Sequence, residues 1–318
     1  MQLGEKTKNV LSFFMRIACS ALLLFYLFKQ IDIEGTINVI KSANMIYILY
    51  AGIVFLFINV FLLYRWVIYI RALDLSVKLS SVTRYFLAGL FGNLFLPSAI
   101  GGDLIKIIGL CKNSDKKPTV VASVLLDRLS GFIAIVLVAI TAFTLGYNVI
   151  DDKTLLFPIV ILGIVFFGFI TVLFNERAYS FACKIFNKFP KIKNNLMELH
   201  YDIALLKNKK REGWKAIALS CLCQVIFSFT FYLTAKALHQ DINIIYFLIF
   251  VPLICVAGAL PSIGGLGARE AGAAFLFAKI GVESGIAVSI SLVNFLFMVI
   301  VGIIGGIIYA LGSFKKDS

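Results

Sequence analysis

Two short phrases in this 318-residue chain put charges where an apolar sequence has no need of them. LPSAIGGDLIK, at 96–106, sets Asp103 and Lys106 one helical turn apart behind a Pro/Gly break. LPSIGGLGARE, at 260–270, sets Arg269 beside Glu270 behind a second break of the same kind. Pro97 and Pro261 cannot continue a ladder of backbone hydrogen bonds, whereas Gly101, Gly102, Gly264, Gly265 and Gly267 permit tight turns and close approach of neighbouring backbone. A helix that restarts after such a turn opens with unpaired N–H groups and the positive end of its dipole, a ready site for an anion such as phosphate. Lys106 and Arg269 would add formal charge to that site, or Lys106 would snorkel to the inner interface. The carboxylates oppose this chemistry: Asp103 and Glu270 either cap the restarting helices and pair with a neighbouring cation, or take part in gating and coupling.

A third charged phrase, VLLDRLSGF, places Asp127 and Arg128 inside an apolar run, where a charge is expensive unless it finds a partner, water or lipid headgroups. Adjacent residues point about 100° apart on a helix, so the two do not fully satisfy each other. Asp127 is expected to pair with Lys106 or Arg269, and Arg128 to face the headgroups on the inner side, with a purely structural network as the alternative. Asn93 ahead of the first break, Ser98 and Ser262 within the breaks, and Asn294 in the last apolar run complete the polar candidates. Their side chains serve either liberated backbone groups or a bound headgroup.

The elements that must hold these residues follow from composition. With 60% hydrophobic residues and a mean hydropathy of +0.96, the chain cannot be a soluble globule with a polar skin; it is an all-α polytopic membrane protein. Full crossings are expected near Val10–Phe28, Met45–Ile70, Val120–Leu145, Leu155–Phe174, Trp214–Lys236 and Ile286–Leu311, six in all. No persuasive cleavage site follows the first apolar run, so it is expected to be retained as a helix. With both termini cytoplasmic, this arrangement places nineteen Lys and Arg on the inner side and only Lys29, Lys41 and Lys153 on the outer.

That bias requires Ser80–Leu110 to enter and leave on the inner side, and Asn243–Ile280 on the outer. Both become re-entrant helical hairpins of opposite orientation, giving an inverted-repeat-like core whose turns lie near the bilayer middle, around a lined cavity. The stretch 175–213 is expected to be a cytoplasmic amphipathic linker within a single membrane domain spanning 1–318: Phe181, Ile185 and Phe189 recur every four residues among lysines suited to anionic headgroups. Gly302 and Gly306 form a GxxxG pair for close helix packing.

Other chemistry finds little support. His200 and His239 lie in loop or interfacial sequence, the six cysteines are dispersed, and no phosphate-cradling Walker pattern occurs, so no cofactor or metal is expected. A net charge of +13 without a soluble recognition module argues against nucleic acid as a partner.

FGNLFLPSAIGGDLIKI, the DR of SVLLDRLSGF and LPSIGGLGAREAG, in this order and spacing, resemble the lysylphosphatidylglycerol synthase transmembrane-region family, whose members are also described as flippase-like. The resemblance implies handling of a lipid between leaflets of a bacterial or archaeal cytoplasmic membrane, and the opposed hairpins suggest alternating access as the mechanism. The lipid it implies is an anionic phospholipid or a polyprenyl-phosphate-linked lipid. In long family members the membrane region is joined to a cytosolic aminoacyltransferase domain; this chain ends at SFKKDS after its last span, so no enzyme activity of that kind is expected of it. The alternative is a non-enzymatic assembly or regulatory protein acting with envelope biosynthetic partners.

Overall fold

The structure, a computed structural model, describes residues 41–95, 101–112, 114–150, 152–174, 209–259 and 265–314. The expected crossing at Val10–Phe28, the break residues Pro97, Ser98, Pro261, Ser262 and Gly264, and positions 175–208 of the linker lie outside them. Every regular element described is helical: α1 (Met45–Ala72), α2 (Leu79–Phe95), α3 (Gly101–Cys111), α4 (Lys117–Leu145), α5 (Leu156–Phe174), α6 (Lys210–Ala237), α7 (Ile244–Gly258), α8 (Ala268–Ala278) and α9 (Ser284–Phe314), with a single 3-10 turn at Lys153–Leu155.

Among the described residues, α1, α4, α6 and α9 are long and apolar enough to cross a membrane, so four of the six expected crossings are found. Each has at least 28 residues, or about 42 Å of rise against a hydrocarbon layer of about 30 Å. The expected crossing at Leu155–Phe174 is helical, but its described apolar stretch, Lys153–Gly168, is shorter than the other four. The two interrupted regions divide as their Pro/Gly breaks require, into α2 and α3 and into α7 and α8. At 17, 11, 15 and 11 residues, none of these four reaches about 30 Å alone.

The chain forms two compact units. The first comprises Met1–Ile58, Arg84–Lys106 and Val225–Ser318. Within it α3 folds back along α2: a Cβ built on Gly92 would overlap Ile105, one on Gly102 would overlap the Gly89 carbonyl and the Asn93 side chain, and one on Gly89 would meet Lys106 Cγ at 3.1 Å. Gly89, Gly92 and Gly102 therefore let the two backbones touch. In the same way α8 folds back on α7. Phe277 packs on Phe247 and Phe250, with ring centroids 5.3 and 5.2 Å apart, and a Cβ on Gly272 would stand 3.1 Å from Ala257.

Both hairpins lie along α9. On its first half, Ala274 packs against Val288, Ser291 donates to Glu270, and Arg269 stacks over Phe295, so α8 runs antiparallel to it. On its second half, Tyr85 meets Tyr309 at 6.4 Å, Leu87 lies against Gly305 and Leu94 against Gly302, so α2 is antiparallel as well. The end of α2 and the start of α8 consequently face each other across positions 295–302 of α9, a helix rise of about 10 Å. Gly302 and Gly306, joined by Gly305, supply the close packing expected of them, and the partner is α2 of the first hairpin. In lipid, such contact depends on van der Waals proximity rather than expulsion of water, which is why small residues line it. Elsewhere in the unit, Ala51 and Phe55 of α1, Leu233 of α6 and Phe297 and Val301 of α9 form one apolar cluster.

The second unit comprises Asn59–Thr83 and Ile107–Gln224. Pro118 sits in the first turn of α4, where its missing N–H leaves no gap. Phe132 of α4 stacks on Phe166 of α5 at 4.8 Å, while Trp66, Val120, Leu155 and Ile159 are fully buried. Phe157, Ile164 and Phe167 of α5 are exposed, as side chains facing lipid are.

Candidate functional site

The expected site residues that are described divide between the two units. Asn93, Gly101, Gly102, Asp103, Lys106, Gly265, Gly267, Arg269, Glu270 and Asn294 belong to the first, and Asp127 and Arg128 to the second.

At the start of α3, the Gly102 N–H donates to Asn93 Oδ1 at 2.9 Å, so a side chain from α2 supplies a cap that the preceding chain does not. Asp103 and Lys106 are both buried and form an ion pair one turn apart, Nζ to Oδ1 3.5 Å, with the ammonium 5.0 Å from the centre of the Phe86 ring. At the start of α8, Gly265 and Gly267 have φ of 81° and 85°, values that side-chain-bearing residues rarely adopt. Gly267 donates its N–H to Glu270 Oε2 at 2.7 Å, one half of a capping box. The other oxygen, Oε1, accepts from Ser291 of α9 at 3.1 Å and from Arg269 Nη2 at 3.5 Å. Glu270 is thus fully buried and held by three donors.

These caps revise the expectation of two bare helix N-termini presented to an anion. One N–H at each restart is already taken by a protein oxygen, and Glu270 sets a negative charge against the positive end of α8. Of the cations beside the two restarts, Lys106 is paired with Asp103 and Arg269 keeps an uncommitted donor. Arg269 is 8% exposed, its side chain lies between the backbone at Gly258 and the Phe295 ring, 4.9 Å from the ring centre, and its Nε has no hydrogen-bond partner among the described residues. A buried guanidinium donor left unbonded is expensive, and a ligand oxygen is what would relieve it.

Asn294 is committed within the protein. It donates to Thr234 Oγ1 at 3.1 Å and to the Ile290 carbonyl at 2.9 Å, and accepts from Thr230 Oγ1 at 3.0 Å, tying α9 to α6.

In the second unit Asp127 Oδ1 accepts from Arg65 Nε at 2.6 Å, and Arg65 Nη1 donates to Ser220 Oγ at 3.1 Å, so one buried cluster joins α1, α4 and α6. Gly131, one turn beyond Asp127, leaves room for the guanidinium: a Cβ there would lie 3.4 Å from Arg65 Nη1. Trp66 Nε1 donates to Ser123 Oγ at 3.3 Å beside it. Arg65 was not foreseen as a partner of Asp127. The signal was present in the sequence, an ionisable residue seven positions short of the end of a 28-residue apolar helix, and such a residue needs a partner.

The family described as the lysylphosphatidylglycerol synthase transmembrane region matches residues 13–306 of the chain. Among curated proteins, the UPF0104 membrane protein PH1989 of Pyrococcus horikoshii is 26% identical over 310 residues, covering 88% of this chain and 91% of its own length.

Proposed function

The chain belongs to the lysylphosphatidylglycerol synthase transmembrane-region family, and on that premise we propose that it moves an anionic, phosphate-containing envelope lipid between the leaflets of a bacterial or archaeal cytoplasmic membrane. The observation that carries the proposal is Arg269: a buried cation, at a glycine-shaped helix start inside a hydrophobic protein, with a donor left over. Two further features support it. Four helices too short to cross are paired back on themselves, the form that broken helices take in transporters with sites near the bilayer midplane. The end of α2 and the start of α8 face each other along the middle of α9, where a headgroup would be farthest from both aqueous phases.

In this account α2/α3 and α7/α8 are re-entrant hairpins entering from opposite faces, and the termini are cytoplasmic. Arg269 takes the phosphate, Lys106 adds positive charge within the same unit, and Arg128 faces the lipid headgroups on the inner side. Asn93 and Glu270 hold the helix starts, and Asn294 fixes α9 against α6. Asp103 and Asp127, each in an ion pair that movement would have to remake, serve gating or coupling. Acyl chains stay in the bilayer as one hairpin bundle rocks to open the site toward either leaflet.

Photolabelling tests where the headgroup sits. Phosphatidylglycerol carrying a photoreactive headgroup, in vesicles containing the full chain, should label the start of α8 and the Ser291–Met298 face of α9, and Arg269→Gln should abolish that label. Labelling confined to other helices, unaffected by the substitution, would remove Arg269 from the site.

A further inference from the structure

Resting on the headgroup site just proposed, we infer that this site selects a phosphodiester, with one negative charge, over a phosphomonoester or pyrophosphate carrying two or more. The selecting element is Glu270. Its carboxylate cannot turn away from the ligand, because Gly267 N–H, Ser291 Oγ and Arg269 Nη2 hold both oxygens and the side chain is fully buried. Any anion accepting from Arg269 Nε must therefore bind with a fixed negative charge already on the same guanidinium.

The balance of charge follows from the neighbours. Arg269 contributes +1, Glu270 −1, and the start of α8 about +0.5 from its dipole. Among the described residues, Gly258 of α7 and Phe295 of α9, which lie against Arg269, and Ser291 of α9, which donates to Glu270, carry no charge. A bound monoanion leaves this group of charges near −0.5 and a dianion near −1.5, by the same dipole value. The ligands that fit are a glycerophospholipid or a polyprenyl lipid joined to a sugar through a phosphodiester; a bare polyprenyl phosphate or pyrophosphate does not fit.

The same arithmetic says how to invert the preference. Glu270→Gln keeps the acceptor that caps Gly267, because glutamine serves in a capping box as glutamate does, but removes the negative charge and brings a bound dianion back near −0.5.

The test uses the full chain in detergent micelles, titrated calorimetrically with dioctanoyl phosphatidylglycerol and dioctanoyl phosphatidic acid, at about pH 8 and about pH 5, on either side of the second phosphomonoester pKa of about 6. At the higher pH, phosphatidylglycerol should bind at least about tenfold more tightly, as expected for like charges a few ångströms apart in a partly screened site. The gap should close at the lower pH, where phosphatidic acid carries one charge, and should also close at the higher pH in Glu270→Gln. A short-chain polyprenyl phosphate–sugar diester, run as a third probe, identifies which of the two carriers binds more tightly. Equal binding of phosphatidic acid and phosphatidylglycerol by the native chain at the higher pH would overturn the inference and leave the headgroup site standing. Failure of all probes to bind, or binding indifferent to Arg269→Gln, would remove the site itself.

Discussion

Replacing Asp127 by alanine leaves Arg65 as an uncompensated cation, and the structure sets the size of the effect. Arg65 is 8% exposed and Asp127 4%, with Nε and Oδ1 2.6 Å apart, so solvent screening is slight. Removing one partner of a buried pair typically costs about 3–5 kcal/mol, because the remaining charge stays desolvated. Ser220 would retain its hydrogen bond to Nη1 and offset part of that, about 1 kcal/mol. Asp127→Ala should therefore destabilise the chain by about 2–4 kcal/mol. An apolar pair in place of both residues, Arg65→Met with Asp127→Leu, should lose far less than either single change and give a coupling energy of about 2 kcal/mol or more. The assay is reversible unfolding in mixed micelles of rising denaturing-detergent fraction, run on all four members of the cycle. An Asp127→Ala variant within about 1 kcal/mol of the parent, or strictly additive single changes, would refute the claim that this pair joins the helices of the second unit.

Three further perturbations address other parts of the frame. Gly305→Ala should destabilise the chain by about 1–3 kcal/mol in the same assay, because the new Cβ would stand 2.8 Å from the Leu87 backbone carbonyl, which cannot yield as a side chain end would. Gly267→Ala should lower stability by about 1–2 kcal/mol through its φ of 85°, and should expose the start of α8 to cysteine labelling from a neighbouring position. Just past the end of α6, Asp241 accepts from Lys236, which holds that carboxyl below its ordinary value of 3.8. Whatever stabilisation the contact gives is complete above that value and lost as pH falls through the lower folded one, so an NMR titration should show Asp241 titrating low, and Lys236→Gln should return it toward 3.8.

The sequence made the helix breaks visible because proline and paired glycines act on their own backbone. For that reason the α2/α3 and α7/α8 divisions were legible to within a residue or two. The GxxxG pair announced close packing, but not that the surface it receives is α2, since a small residue names no partner. Glu270 stands three residues after Gly267, the spacing of a capping box, so its structural role was there to be found. The cap on Gly102 was less accessible: Asn93 lies nine residues away, and only the fold-back of α3 on α2 brings it near. Arg65 and Asp127 are separated by 62 positions, and sequence alone gave each a need for a partner without saying which. The free donor of Arg269 could not be read from sequence at all. It emerges only after Glu270, Ser291 and Phe295 have taken their places around it.

Leaflet exchange in vesicles tests the central claim most directly. The full chain, reconstituted with fluorescent phosphatidylglycerol in both leaflets and treated with a membrane-impermeant quencher, should let the inner-leaflet signal decay well faster than protein-free vesicles do. Arg269→Gln, folded and inserted to the same level, should return the decay to the protein-free rate. A native chain that is intact and no faster than empty vesicles across a panel of phosphodiester lipids would contradict translocation and leave an assembly or regulatory role for the same fold.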